Sequence, residues 1–497
     1  MPRSRVRLFL MMTLFGAAAT AGSFTACIPT YTFGDGGAAD SGQDVTAATD
    51  AGPGNDANLD APADSPVDAP TTVDAPFDSS SDAPPDSALP DAGVAVAVVA
   101  VGSMAGSTGY GYQTHLVFAQ NDGRYWFFYV DDTTGVIKTL HSPDLSTWTA
   151  GASISLGSGY GLTDGYNFSV AYANLGGTDV VHLVADATNA GNYSTLHLRA
   201  TIAGGALTAS AASVLPDTTN GGSCPNDGPA TAIAPGGQVY DVTAWALHSA
   251  ESTTCDTNIY RSPTVDTGAT WGTGTFWHDG YYVSVPTFAF SHDLLTLPDA
   301  GAVMLLYPDE DNDSTDEFFA IGWDLSSSFA IDAGAPGTTG EVEDAATELF
   351  ASAGKQSSWD DWSACNLGGT NVHVVRHVLG STDVGEFEEE IYQGAGWQAA
   401  ASAPPTSASV SNTGVVLLSN ASASNGMLLV TLGIDGSLNL ARWTSSGWST
   451  LGSIAGDGNV RQSLAGSGCG SAHPMLFWTE TVGTVNTIES LDLSGYL

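Results

Sequence analysis

The chain has 497 residues, with 53 acidic against 11 basic side chains and a formal net charge of -42. Charge of this sign is repelled by phosphate backbones and anionic bilayer surfaces, which excludes nucleic-acid binding and direct docking on lipid headgroups. Only 13% of residues are charged, while Gly numbers 59 and Trp, Tyr and Phe number 12, 16 and 18, a balance that reads as many short strands joined by turns.

Residues 1–27 have the organisation of an export signal. Arg3, Arg5 and Arg7 give a positive start, Leu8 to Ala19 is a short apolar run, and small residues follow. The apolar run is too short to span a bilayer as a stable helix. Phe24-Thr25-Ala26-Cys27 then resembles a bacterial lipobox, the signal that makes its Cys the lipidated first residue of the mature chain; Phe24 departs from it where Leu is commonest. Ordinary cleavage near Ala19 to Ala21 is the alternative and leaves Cys27 as a stray thiol.

Residues 28–93 are built from Asp, Ala, Pro, Ser, Thr and Gly. From Asp56 the acids recur at nearly every fourth position, through Asp60, Asp64 and Asp68 and then Asp74, Asp78, Asp82 and Asp86. That spacing suits a helix face, but Pro62, Pro66, Pro70, Pro76, Pro84 and Pro85 forbid one. With almost nothing apolar to bury, the composition predicts an extended, disordered acidic linker. A lipid-anchored Cys, an acidic spacer and a globular domain together resemble the layout of bacterial surface lipoproteins. The resemblance implies an exported monomer in the cell envelope, at the outer membrane or cell surface, touching the membrane through its lipid alone.

Residues 94–497 carry no persistent helical periodicity and predict a single all-β domain. Its clearest internal repeat sets Asn174-Leu175-Gly176-Gly177-Thr178-Asp179-Val180 against Asn366-Leu367-Gly368-Gly369-Thr370-Asn371-Val372, each followed by a strand-like run. With that turn and strand as a ruler, equivalent strands fall at Tyr125–Val130, Val180–Ala185, Val239–Trp245, Ala302–Tyr307, Asn371–Val375, Met427–Thr431 and Met475–Thr479. The spacing of about 55–60 residues matches the four-stranded blade of a β-propeller with seven blades, six being the competing count. The last unit, from Arg461, is one strand short, and the run Gly93 to Val101 is a strand without a hairpin partner. The expectation is that this N-terminal strand completes the last blade and removes its open edge.

Thr264-Val265-Asp266-Thr267-Gly268-Ala269-Thr270-Trp271 fits [Ser/Thr]-x-Asp-x-Gly-x-Thr-Trp at every specified position. It resembles the Asp-box of sialidase-type (BNR repeat) propellers, which implies a rim hairpin turn formed by Thr264, Asp266, Gly268 and Trp271. Ser142-Pro143-Asp144-Leu145-Ser146-Thr147-Trp148 is a degenerate copy without the Gly. Gly433 to Leu438 and Arg442-Trp443 to Gly447-Trp448 resemble repeats of lectin-type propellers.

Besides Cys27 there are four cysteines, Cys224, Cys255, Cys365 and Cys469. In an exported chain an even number suggests disulfides, here paired as Cys224 with Cys255 and Cys365 with Cys469. Zinc is the alternative, but no Cys-x-x-Cys spacing exists.

The sialidase resemblance implies three carboxylate-binding arginines, a Tyr/Glu pair and an early Arg-Ile-Pro-like motif. The domain has only Arg124, Arg199, Arg261, Arg376, Arg442 and Arg461 and no such motif, so sialidase activity is not expected. A hydrolase of a neutral sugar needs carboxylates converging at the channel mouth. Asp164, Asp227, Asp360 and Asp361 are the candidates, with Tyr166, His292, Trp359 and Asp457 as ligand-binding neighbours and Asp293 beside His292. Against that stands plain turn chemistry, since Asp-Gly pairs recur wherever blades turn. Asp309, Asp311, Asp313 and Glu317 resemble the start of a calcium loop, although Ser314 replaces its turn Gly; a solvated hairpin tip is the alternative. Glu386 to Glu390 reads as an exposed strand edge. The sequence thus predicts no required cofactor other than calcium as an option. It predicts a lipid-anchored propeller that binds or scaffolds a carbohydrate or protein partner, with a glycoside hydrolase as runner-up.

Overall fold

The apolar runs marked by the ruler become the second strands of successive antiparallel sheets. A computed structural model describes most of residues 96–215, the strands of 220–350 with parts of their connections, and most of 356–497. Residues 1–95 and the remaining loop segments, including 216–219, 280–292, 325–346 and 406–413, lie outside the described residues. In several strands between 220 and 361 only the backbone course is described.

Among the described residues the strands form seven sheets, all antiparallel and most of them four-stranded. The first strands, in chain order, are Leu116–Ala119, Phe168–Leu175, Asn226–Ile233, Asp293–Leu297, Gln356–Asn366, Val415–Ser419 and Val460–Gly466. The second strands are Arg124–Val130, Thr178–Asn189, Val239–His248, Ala302–Glu310, Asn371–Leu379, Met427–Leu432 and Met475–Val482. Each ruler segment falls inside one of these second strands. The seventh sheet contains three consecutive C-terminal strands plus Ala97–Val101, which pairs antiparallel with Val485–Asp492 through Ala97 opposite Ser490 and Val101 opposite Thr487.

The hydrophobic code is continuous where simple alternation would leave one face polar. Met427–Leu432 is buried at every position, and Arg124–Val130 at all but its first and sixth. A strand sandwiched between two neighbouring sheets has no solvent face, so both side-chain rows must be apolar. Clusters fill the seams. Val117, Trp126 and Phe128 of the first sheet pack with Phe168, Val181 and Leu183 of the second. Leu418 and Val430 of the sixth meet Leu476 and Trp478 of the seventh. Tyr125 and Phe127 of the first meet Met475, Phe477 and Ile488 of the seventh, with Phe127 and Phe477 stacked at 4.6 Å.

Turn chemistry agrees with the repeats. In the second sheet the Asn174 side chain accepts the Gly177 amide at 3.1 Å, and Gly176 and Gly177 take φ of 60° and 83°. In the fifth, Asn366 accepts the Gly368 amide at 2.9 Å, with Gly368 and Gly369 at 107° and 62°. Left-handed backbone of this kind favours glycine, so the shared Asn-x-Gly-Gly marks the same first-to-second-strand turn in two sheets. The degenerate box at 142–148 joins the third and fourth strands of the first sheet. Ser142 Oγ accepts the Leu145 amide at 2.8 Å, and Asp144 accepts the amides of Ser146 and Thr147 at 3.0 Å each. Leu145 adopts the left-handed turn conformation itself, at φ 63°, with its side chain buried in the seam between the first and seventh sheets. The full box is the corresponding hairpin of the third sheet, Thr264 lying opposite Trp271; Gly268 is outside the described residues.

One expectation is corrected. Glu386 to Glu390 lies on Gly385–Gln393, the third of four strands; the second strand pairs with it throughout, the fourth pairs only with Glu390 to Tyr392, and Glu386 is exposed, so the run is only partly an exposed edge. Glu389 is buried, its Oε1 2.6 Å from His373 Nδ1 and its Oε2 accepting Trp448 Nε1 at 2.7 Å. Glu388 accepts Arg376 Nη2 at 2.9 Å. An acid run on an interior strand is tolerated because each inward carboxylate has its own donor.

Candidate functional site

Neighbouring first strands touch from the first sheet through the fourth and from the fifth through the seventh. They enclose a cavity of about 570 Å³. Its wall takes residues from Leu116–Gln120, Ser169–Tyr172, Thr231–Ile233, Asp293–Thr296, Ala364, Asn366, Leu417 and the loop Gly466–Ala472.

One side of this cavity is formed by the chain itself. Residues 106–115, which connect the N-terminal strand to the first sheet, cross the interior and make contacts on nearly every side. Ser107 Oγ donates to Val130 O of the first sheet at 2.8 Å. Thr108 Oγ1 bonds Ser463 O and, at 3.1 Å, Thr479 Oγ1 of the seventh. Gly111 O accepts Ser363 Oγ of the fifth at 2.8 Å. Tyr112 stacks on Trp362 at 4.8 Å and packs with Met304 and Leu306 of the fourth. Close approach explains the glycines. A Cβ on Gly111 would lie 1.7 Å from Val415 O of the sixth sheet, and one on Gly165, before the second sheet, 2.5 Å from Ser107 N. His115 closes the segment, its ring nitrogens 3.2 Å from Ser107 O and 3.1 Å from Phe168 O; burial pulls its pKa down to about 4, so it is neutral. This stretch works as a hub, with Gly111 and Tyr112 closing one side of the cavity.

On the wall, Phe118 is 36% exposed and lies against Tyr125 with ring centroids 4.7 Å apart. Tyr172 is half-buried and donates to Asp179 Oδ1 at 2.9 Å, while its oxygen accepts the Gln120 amide at 2.9 Å. Burial first, and then the Asp179 carboxylate, raise the Tyr172 pKa to about 12. Asn366 Nδ2 donates to Thr296 O at 3.3 Å while its Oδ1 accepts the Gly368 amide, which leaves the side chain one further N–H and one lone pair. Asp293 Oδ1 accepts the Leu294 amide at 2.8 Å; burial pushes its pKa up to about 7. Among the described wall residues there is no Lys, Arg or His.

The disulfide Cys365–Cys469 joins the end of the fifth sheet's first strand to the Gly466–Ala472 loop, reaching across the sixth sheet. Cys469 Sγ lies 3.9 Å from Leu417 O, and the Gly470 amide donates to Ser419 Oγ at 2.9 Å, so this glycine-rich loop is pinned as part of the wall.

Of the residues anticipated from sequence, Asp164, Tyr166, His292 and Asp457 lie outside the described residues. Asp227, Trp359, Asp360 and Asp361 lie on first strands, Asp227 near the start of its strand, with only the backbone course described. Asp293, beside His292, is the member of that group whose side chain is placed in the cavity wall. Asp309 and Glu317 face each other across the second-to-third-strand hairpin of the fourth sheet; Asp311 and Asp313 lie outside the described residues, as do Cys27 and Cys224. Cys255 begins a strand whose side chains are not described. Among the described residues no group of three or more His, Cys, Asp or Glu is placed to hold a metal. Sequence reasoning missed the hub and the cavity wall. The repeated Asn-x-Gly-Gly turn was the signal available for Asn366.

The arginines with described partners are structural struts. Arg124 bonds Asp122 at 2.9 Å. Arg376 lies over Phe350 at 4.4 Å while paired to Glu388. Arg461 pairs with Glu480 at 3.2 Å, a carboxylate that also accepts Trp478 Nε1 at 3.0 Å.

No protein-family model matches the chain, and no curated protein matches it. Solved structures do. A polysaccharide lyase of family PL25, an ulvan lyase, is 9% identical at a TM-score of 0.51, covering 80% of this chain and 95% of its own. The BP39L lectin from Burkholderia pseudomallei is 13% identical at 0.48, covering 77% and 97%; the Trypanosoma rangeli sialidase is 10% identical at 0.39, covering 71% and 56%. At these identities the lyase likeness speaks to fold alone, and the fold is all-β and propeller-like.

Proposed function

We propose that this chain is an exported, lipid-anchored seven-bladed propeller, closed by its N-terminal strand, whose domain spans 94–497 and binds a carbohydrate. The observation that carries the reading is the central cavity of about 570 Å³, walled by first strands and set with Phe118, Tyr172, Asn366 and Asp293. Aromatic faces with amide and carboxyl groups lining one cavity are what a polyhydroxylated ligand requires. Three points support the ring: the seven sheets, the packed seams between the first and second, sixth and seventh, and seventh and first of them, and the pairing of Ala97–Val101 with the last sheet. The solved structures quoted above, a polysaccharide lyase, a lectin and a sialidase, share a carbohydrate theme.

A glycan-array screen of the full chain tests the reading, which predicts binding to at least one glycan class; a blank array together with capture of a protein ligand would replace it with a protein-docking role. The hydrolase alternative draws on Asp293, a wall carboxyl with a raised pKa, and predicts sugar release from nitrophenyl glycosides that is lost in Asp293→Asn. The anchor predicts labelling by a palmitate analogue that disappears on Cys27→Ala; labelling that persisted would remove the anchor from the reading.

A further inference from the structure

The geometry points to an uncharged sugar unit as the cavity's ligand, stacked on Phe118 and hydrogen-bonded by Asn366 and Gln120, with Gly111 and Tyr112 of the hub as its floor. This rests on the carbohydrate-binding reading and narrows it to a chemical class and a location.

The first argument is electrostatic. The described wall contains no cationic side chain, and its one carboxylic acid is Asp293. Arg124, Arg376 and Arg461, which could otherwise meet an anion, are engaged with Asp122, Glu388 and Glu480. A uronate, sialate or sulfate would be desolvated with no counter-ion among the described wall residues, inside a chain of net charge -42. Hydroxyl groups carry no such cost and find donors and acceptors in the Asn366 and Gln120 amides.

The second argument is shape. The cavity of about 570 Å³ falls in the range of small-ligand sites, roughly 300–1,000 Å³. Gly111 and Tyr112 of the hub belong to its lining, and a cavity of this volume has room for a terminal sugar unit. Its wall runs out to Gln120, Asn366 and the pinned Gly466–Ala472 loop, all at the ends of first strands. The acids anticipated from sequence at Asp164, Asp227 and Asp457 come before or at the starts of first strands, as Asp293 does, so the sugar is placed toward the other end of those strands, at Gln120 and Asn366.

Calorimetric titration of the full chain with N,N′-diacetylchitobiose, cellobiose and maltose, against glucosamine as the cationic and glucuronic acid as the anionic probe, tests this. The expected result is binding of at least one uncharged disaccharide, weakened about tenfold or more in Phe118→Ala and in Asn366→Ala, and unchanged in Val214→Ser on the exposed edge of the second sheet. Melting temperature and near-ultraviolet dichroism identify folded variants; should Asn366→Ala fail to fold, Phe118→Ala and Gln120→Ala carry the test. Binding of the charged probes alone overturns the uncharged class. Uncharged sugars that bind folded cavity variants as tightly as the parent overturn the location and leave the carbohydrate reading standing. No binding to these probes or to any glycan on the array overturns both.

Discussion

Asp293 shows how one residue couples the cavity to pH. Its carboxyl group keeps its proton up to about pH 7 in the folded chain, against an ordinary value of 3.8. The folded form therefore holds a proton that the unfolded form releases above about pH 4, and the associated stability is present below that pH and lost as pH rises through 7. Asp293→Asn should leave stability at pH 4 unchanged and raise it at pH 8 by about 1–2 kcal/mol after allowance for partial exposure, measured by denaturant unfolding at both pH values. A variant with the same pH slope as the parent would show that the carboxyl group titrates normally. Three buried histidines work in the opposite sense. Burial pulls His115, His182 and His197 down to about 4, 3 and 2, and the last two lie 2.9 Å apart, so their contribution is lost as pH falls below 6.5.

Single elements carry the next tier of expectation. In the box at 142–148, Ser142 Oγ is buried and receives the Leu145 amide, so Ser142→Ala should cost about 1 kcal/mol in urea unfolding. An unchanged midpoint would mean that water or Asp144 replaces the hydroxyl. The hub is far less forgiving. Gly111→Ala places a methyl group 1.7 Å from a backbone carbonyl, and neither partner is a flexible side-chain end. The expected outcome is loss of soluble folded protein or a melting temperature lower by more than about 10 °C, whereas Gly102→Ala, with nothing within 4 Å, should differ only through its positive φ.

These elements also divide what the sequence displayed from what it hid. Blade-like units were legible because the second strands are rich in apolar residues, as at Val180 to Ala185 and Met427 to Val430, and because the two Asn-x-Gly-Gly turns use left-handed backbone. The seventh sheet's missing strand could be inferred from a valine-rich segment far away in the chain. The hub could not. Gly106 to His115 has neither a two-residue nor a 3.6-residue period, and its meaning lies in contacts with six sheets that no local pattern records. Glu386 to Glu390 misled because a run of acids ordinarily marks solvent, while here Arg376, His373 and Trp448 supply donors from other strands. Asp293 was legible as an acid close to other acids, but its desolvation depends on the assembled wall.

For the whole molecule, the disulfide is the long-range constraint. It closes a sequence separation of 104 residues, and loop-closure reasoning sets the stabilisation near 2–4 kcal/mol. Replacing both cysteines with serine, or reducing the bond, should lower the melting temperature by several degrees and loosen Gly466–Ala472, read as faster amide hydrogen exchange at Gly468 and Gly470. Exchange that stayed slow would mean that the Ser419 and Leu417 contacts hold the loop without the bond.

The pairing of Ala97–Val101 with Val485–Asp492 brings a consequence for mechanical load. Any tension carried by the chain ahead of Ala97 enters the domain at the Ala97–Ser490 pair, on the outermost strand of the sheet that also holds the C-terminal strand. A tether pulled away from the sheet meets that ladder one pairing at a time, so force would peel a single short strand before it strained the seams of the other sheets. The strand that would part first is also the one from which the chain runs on through Ser107 and Thr108, whose hydroxyls hold the first and seventh sheets.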